Sequence, residues 1–384
     1  MSALSNMIQL GRLRVMGEVV AMVAVMVLAA CSSGPVKMKP AELAPPANRA
    51  SAQLIWSTQM GPSSPSMAPW AHQGRVYLAG TKGAVAAVDA TSGRDVWRLN
   101  LGTSLATGAG SDGQTTAVVS QGNQLIAMTD GRESWRVQLP AASFTSPLVA
   151  GRRVFVLAAD RSVIAFDAQN GARLWTQARP GEPLVLRQSG VLLAVGDTLV
   201  AGLSGRLVGL HPLNGTVRWE ASIANSRGTN EVERLVDLVG SVSRIGNTVC
   251  ARSFNSAVGC VDADTGRLLW SKPAQGVTGV HGDEQYIFGS EADGRLLAWQ
   301  RAKGDRGWEV DRLKFRELTA PLALGRLLAV GDGTGLVHLA SREDGSELTR
   351  LTTDGSPIIA APVLSGPALV VQTLNGGVYA WRSQ

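Results

Sequence analysis

Seven tryptophans, Trp56, Trp97, Trp135, Trp175, Trp219, Trp270 and Trp308, follow one another at intervals of 41, 38, 40, 44, 51 and 38 residues. A period near forty residues is the mark of a repeat architecture, and it limits the fold to arrays, solenoids and propellers. The surroundings of the tryptophans repeat too. Ala87-Val88-Asp89 leads to Gly93 and Trp97, Ala165-Phe166-Asp167 to Gly171 and Trp175, and Cys260-Val261-Asp262 to Gly266 and Trp270. Gly131 with Trp135, Gly215 with Trp219 and Gly304 with Trp308 keep the second half of the pattern. In an eighth, worn copy Gly345 is followed by Thr349 where tryptophan would stand.

Each copy reads as short strands. Val76–Ala79 is an apolar run, Thr81-Lys82-Gly83 a turn, Ala84–Val88 a second run, Asp89–Gly93 another turn and Asp95–Leu99 a third run. Short strands punctuated by Gly and Asp at regular spacing indicate an all-β sandwich, barrel or propeller, and a four-stranded unit of this length is a propeller blade. Residues 51–384 divided into eight give about 42 residues per blade. The expected fold is an eight-bladed propeller of four antiparallel strands per blade. The chain ends on a strand, Gly377–Trp381, and Gln53–Trp56 supplies the strand this last copy lacks, so the N-terminal strand should close the ring. The seven tryptophans are expected between blades, each burying about 150–250 Å². The Asp before each turn is expected to cap the backbone two residues on.

Charged residues make up 17% of the chain and hydrophobic ones 45%, which excludes a disordered protein. The net charge of +6 arises from 36 basic and 30 acidic residues with no clustered stripe, unlike a nucleic-acid binder.

Arg12 and Arg14 precede an apolar stretch, Val19–Ala30, too short to span a bilayer and expected as a signal peptide over residues 1–30. It ends Leu28-Ala29-Ala30-Cys31, which resembles the bacterial lipobox and implies lipidation of Cys31. Ser32, where an Asp would retain the protein in the inner membrane, implies export to the outer membrane. Residues 31–50 are small, polar and Pro-rich, and are expected as a lipid-anchored tether.

The Ala-x-Asp-x-x-Thr-Gly-x-x-x-Trp pattern resembles the tryptophan-docking repeat of quinoprotein propellers, over nearly all of residues 51–384. Two classes share it: PQQ-dependent dehydrogenases, and the BamB family of lipoproteins in the outer-membrane β-barrel assembly (Bam) machinery. The dehydrogenases hold PQQ beside Ca²⁺ under an adjacent Cys-Cys pair, which this chain lacks, and they are much longer. Resemblance to the BamB family implies a non-catalytic scaffold without cofactor or metal, on the periplasmic face of the outer membrane. Its partners would be the periplasmic POTRA domains of BamA, the rest of the Bam complex and unfolded outer-membrane proteins, with no nucleic acid. A PQQ-binding periplasmic propeller is the alternative. Pro183–Arg187 looks like the family's BamA-contacting segment, with Leu184, Leu186 and Arg187 at the matching positions. Thr229–Asp237 looks like the acidic loop beside it. Asp237 matches the first of its two acidic positions, and Val239 stands at the second. On spacing alone, Leu184 and Leu186 fit the inward face of a strand.

His72, His211, His281 and His338 form no spaced pair, so there is no zinc signature. His211 is expected in a turn, and Gly331–Gly335 as a hairpin rather than a phosphate cradle. Cys250 and Cys260 flank the turn Phe254–Ser256 symmetrically, compatible with a disulfide across a hairpin and equally with two buried thiols.

Overall fold

The computed structural model describes residues 38–179, 184–225 and 235–383. Among them are 32 strands in eight four-stranded antiparallel sheets and no helix. The first blade comprises β2 (Trp70–His72), β3 (Arg75–Ala79), β4 (Ala84–Asp89) and β5 (Asp95–Asn100). The last is β30 (Val363–Ser365), β31 (Ala368–Gln372), β32 (Gly377–Ser383) and then β1 (Ala52–Gln59), the N-terminal strand. In that pair Trp56 lies opposite Ala380 and Gln59 opposite Gly377. Innermost strands abut from blade to blade, and β30 returns to β2. The ring is therefore closed by the two chain ends, which leaves no first or last blade to cap.

The two middle strands of a blade are buried on both faces, which is why Val76–Ala79 and Val85–Val88 read as continuous apolar runs. The core lies between blades: Tyr77, Val85 and Ala87 of the first pack with Val118, Ile126 and Met128 of the second. The outer strand alternates, with Trp97 turned in while Val96 and Arg98 reach solvent or the rim.

Each of the seven tryptophans lies against the glycine of the following repeat: Trp56 on Gly93, Trp97 on Gly131, Trp135 on Gly171, Trp175 on Gly215, Trp219 on Gly266, Trp270 on Gly304 and Trp308 on Gly345. Gly171 has φ +73°, and a Cβ there would stand 2.7 Å from Trp135 Cε3. The position thus needs glycine both for backbone and for space. Most of the indoles also donate across the blade boundary. Trp135 Nε1 reaches Ala168 O at 2.9 Å, and Trp219 Nε1 reaches Ala263 O at 2.9 Å. The residue paired opposite each tryptophan is small: Ala87, Ala127, Ala165, Gly209, Cys260, Ala298 or Ala380. Opposite Thr349 it is Leu339, so the partner grows where the indole is missing.

Asp89 Oδ1 accepts from the amides of Thr91 (3.1 Å) and Ser92 (2.8 Å), and Asp167 and Asp262 cap their turns alike. His211 takes this place in the fourth blade, its Nδ1 accepting from Leu213 N at 3.2 Å. Cys250 on β19 (Thr248–Ser253) lies directly opposite Cys260 on β20 (Ala257–Asp262), and the two form a disulfide.

Backbone contacts to the propeller begin ahead of residue 51, at Ala41. From Ala41 to Arg49 the expected tether lies as a strap along the seventh blade, because its backbone finds partners there. Ala41 N donates to Lys314 O (2.9 Å), Arg49 N to Leu348 O (3.0 Å), Arg316 Nη1 to Ala41 O (3.0 Å) and Arg350 Nη2 to Ala44 O (2.6 Å). Leu43 packs on Leu313, Leu318 and Val330. Both strap-holding arginines belong to one network. His338 lies between Asp332 (Nε2–Oδ2 3.0 Å) and Glu347 (Nδ1–Oε1 2.8 Å). Arg316 pairs with Asp332 at 2.7 Å, Arg350 pairs with Glu347, and Thr334 bonds both Asp332 and Arg316. Burial alone would lower the His338 pKa, but its bonds to Asp332 and Glu347 outweigh this and raise it. Burial opposes ionisation of the carboxyls as well, yet hydrogen bonds from His338 and the Leu336 amide hold Asp332 far down, and His338 with Arg350 brings Glu347 to about 2.

Trp135→Ala is expected to cost about 3–5 kcal/mol by leaving an inter-blade cavity, and Gly171→Ala to destabilise as well, both read as lower denaturation midpoints. The network's contribution is expected in full between the ordinary carboxylate and histidine values. It falls away as pH rises through the raised His338 value, and again as pH drops below the usual carboxylate range. Melting temperature measured from pH 5 to 9 should therefore decline on the alkaline side, and His338→Gln should flatten that limb.

Candidate partner-docking site

Loops of three consecutive blades meet at the segment 184–190, which leads from β13 (Arg173–Gln177) of the third blade to β14 (Leu192–Val195) of the fourth. The third blade adds the hairpin turn at Arg161, between β11 (Arg153–Leu157) and β12 (Val163–Asp167). The fourth adds Ser204, between β15 (Thr198–Leu203) and β16 (Arg206–Leu210). The fifth adds Asp237, just before β18 (Leu238–Ile245). Together they line a small cleft whose walls include Phe144, Arg161, Leu186 and Asp237.

The segment has no strand pairing, so its backbone is held by other means. Leu184 O accepts from Arg161 Nη2 at 2.8 Å, and Leu186 N donates to Asp237 Oδ2 at 3.2 Å. Ser189 O accepts from Gly240 N at 2.9 Å, Gly190 N donates to Thr145 Oγ1 at 2.9 Å, and Gln188 Nε2 reaches Val277 O at 2.9 Å. Leu184 is 36% exposed, Leu186 is half-buried against the cleft, and Arg187 is exposed with its guanidinium 6.0 Å from the centre of the Phe144 ring. The apolar and cationic side chains are thus presented on a pinned backbone.

The sequence-derived site residues distribute unevenly over this geometry. Leu184, Leu186, Arg187 and Asp237 come together as neighbours. Leu184 and Leu186 lie on a loop and not on the inward face of a strand, because the segment pairs with no neighbouring strand. Val239 is fully buried in β18. Pro183 and most of Thr229–Asp237 lie outside the described residues, as does Cys31. Arg161 and Phe144 were not anticipated. The signal for Arg161 was present: it occupies the hairpin position that is Gly83, Asn123, Gly294, Gly335 or Gly376 in other blades, where the amide bonds back to the carbonyl three residues earlier. Among the described residues no group of three His, Cys, Asp or Glu is placed to hold a metal ion.

Comparison with known proteins decides between the two classes that share the repeat. Residues 81–310 match the family described as outer membrane protein assembly factor BamB. The chain belongs to the BamB family. It is 39% identical to the protein of that name from Burkholderia pseudomallei over 364 residues, 94% of this chain and 96% of that one. To the one from Bordetella pertussis it is 34% identical, over 92% of each chain. The solved structure of BamB from Moraxella catarrhalis superposes with a TM-score of 0.79 over 86% of this chain and all of that one, at 23% identity. A quinohemoprotein alcohol dehydrogenase from Pseudomonas putida also superposes, with a TM-score of 0.66 at 14% identity, which is a likeness of fold alone. Membership places the protein among the assembly factors of the outer membrane and apart from the dehydrogenases.

Proposed function

We propose that this protein is a lipid-anchored, non-catalytic scaffold of the outer-membrane β-barrel assembly machinery that docks the periplasmic POTRA domains of BamA through Leu184, Leu186 and Arg187. The observation that carries this reading is the loop itself: an exposed leucine and arginine, Leu184 and Arg187, with the half-buried Leu186 between them, on a backbone pinned by three blades, in a chain of the BamB family. An apolar anchor beside a cation that sets register is the composition of an interface hot spot. Pinning the loop in advance lowers the entropy lost on binding.

Two further features support the setting. A disulfide between Cys250 and Cys260 suits an oxidising compartment such as the periplasm. Lipidation at Cys31 would leave nine Cα–Cα steps before Pro40, where the folded body begins, a reach of at most about 32 Å. Such a tether keeps the propeller beside the bilayer, where assembling barrels are inserted. Acyl chains contribute about 0.8 kcal/mol per buried CH₂, so two or more anchor stably.

The test is the affinity of the purified lipoprotein for the BamA periplasmic domains. Wild type is expected to bind, and Leu184→Ala and Arg187→Ala to weaken binding about tenfold or more with melting temperature unchanged. Binding that ignores both substitutions moves the site elsewhere, and no binding by folded protein removes the docking reading. Cys31→Ala is expected to shift the protein from the membrane pellet to the soluble periplasmic fraction.

A further inference from the structure

Arg161 sits at a place where the fold asks for something else. Its amide donates to Ala158 O at 3.0 Å to close the hairpin, as Gly83 does to Gly80, Asn123 to Ser120 and Gly335 to Asp332. The backbone there is left-handed, with φ +65°, against +96° at Gly83 and +59° at Asn123. Glycine and asparagine tolerate that conformation, and a long side chain is strained in it. Strained residues persist where the surroundings over-determine them, and they concentrate at functional sites. Here the side chain supplies the determination. The guanidinium, 7% exposed, lies 3.3 Å from Asp237 Oδ1, donates to Leu184 O at 2.8 Å and bonds Ser204 Oγ. A planar, multi-donor cation suits the task of holding a carboxylate, a carbonyl and a hydroxyl from separate segments.

Asp237 completes the arrangement from the other side. One carboxylate oxygen faces Arg161 and the other accepts from Leu186 N, with the side chain 18% exposed. The pair therefore grips both ends of the Leu184–Leu186 segment, its carbonyl through the arginine and its amide through the aspartate. The second acidic position of the neighbouring loop is Val239, buried in the core. Among the described residues of the 184–190 segment, the exposed charge is Arg187.

We infer that Arg161 and Asp237 are positioning residues: their ion pair, bridging the third and fifth blades beneath the loop, sets the geometry in which Leu184, Leu186 and Arg187 meet a protein partner, and Asp237 serves the loop rather than the partner. The inference rests on the docking reading of that loop. It adds a residue to the site and changes the role of another. Loss of either group frees the loop to sample other conformations. If the competent geometry falls to about one tenth of the population, apparent affinity falls about tenfold.

The experiment uses the full-length lipoprotein with Arg161→Asn, Asp237→Asn, the double substitution and Arg187→Ala. Three quantities are read on each: melting temperature, hydrogen exchange of the 184–188 segment, and affinity for the BamA periplasmic domains. Asparagine at position 161 suits the left-handed backbone, so that variant is expected to fold with its melting temperature held while the loop loses its grip. Arg161→Asn and Asp237→Asn should each speed exchange of the segment and weaken binding about tenfold, with the double no worse than either single. Arg187→Ala should weaken binding with exchange unchanged. Asp237→Asn that weakens binding without altering exchange would make Asp237 a direct contact and overturn the inference. Additive effects of the two substitutions, or an Arg161→Asn variant with wild-type exchange and affinity, would overturn it as well. If wild-type protein binds no BamA, the docking reading fails, and exchange alone decides whether the ion pair holds the loop. Should Asp237→Asn not fold, Arg161→Asn and Arg161→Lys carry the same comparison.

Discussion

The stacking of a tryptophan from one blade on the turn glycine of the next is the contact on which the rest of the structure depends. A lone four-stranded blade cannot bury both faces of its middle strands, and its stability comes from its neighbours. The indole fills the space between outer edges, its N–H satisfies a carbonyl across the boundary, and the glycine makes room at a backbone angle other residues resist. A small residue opposite the tryptophan on its own sheet lets the ring settle inward. Three choices at three separate positions of the repeat are thus one interaction, which explains why Gly and Trp stay locked in step over seven copies.

The eighth boundary shows what happens when the receiving turn does not exist. The last blade takes its outer strand from the N-terminus, so no chain turn links β32 to β1 and no glycine can receive an indole. The seventh blade accordingly carries Thr349, with Leu339 enlarged beside it. On this same outer strand the strap lies, with Arg49 bonded to Leu348 and Arg350 to Ala44. The chain's own N-terminal segment thus covers the edge that lacks a tryptophan. Its anchors depend on a buried histidine held between two carboxylates, a costly group unless fully paired, as this one is.

Whatever recurred could be read in the sequence, and whatever depended on a single crossing between distant segments could not. The tryptophan period yields eight blades, the closing strand at Gln53–Trp56 and the Asp-capped turns, because each is local or repeated. The strap reads as a tether in the sequence because its residues are small, polar and Pro-rich. Their partners, Lys314, Arg316 and Arg350, lie some three hundred residues away. His338 looked isolated for a similar reason, since Asp332 and Glu347 reach it only after β28 (Leu336–Ser341) folds between them. Leu184 and Leu186 were ambiguous at a spacing of two, and the contacts from Arg161 and Asp237 are what make the segment a pinned loop. Arg161 stands at a hairpin tip that carries Gly or Asn in five other blades, which is a legible signal once blades are aligned.

Propellers separate scaffold from site, and this one also separates two tasks around its ring. The strap runs along the seventh blade toward the eighth, while the 184–190 loop draws on the third, fourth and fifth. In a closed ring of eight, the fourth blade lies opposite the eighth. The strap therefore does not cover Leu184 or Arg187, and a partner seated on that loop, as proposed above, would not displace it. Rigidity makes the separation effective. The blades between the two arcs are joined by indole–glycine contacts, which hold the 184–190 loop at a constant attitude to the strap. For a scaffold that binds without chemistry, as proposed above, that constancy would be the mechanism: a partner on the 184–187 loop would meet one fixed geometry, because the blades beneath it are locked to one another.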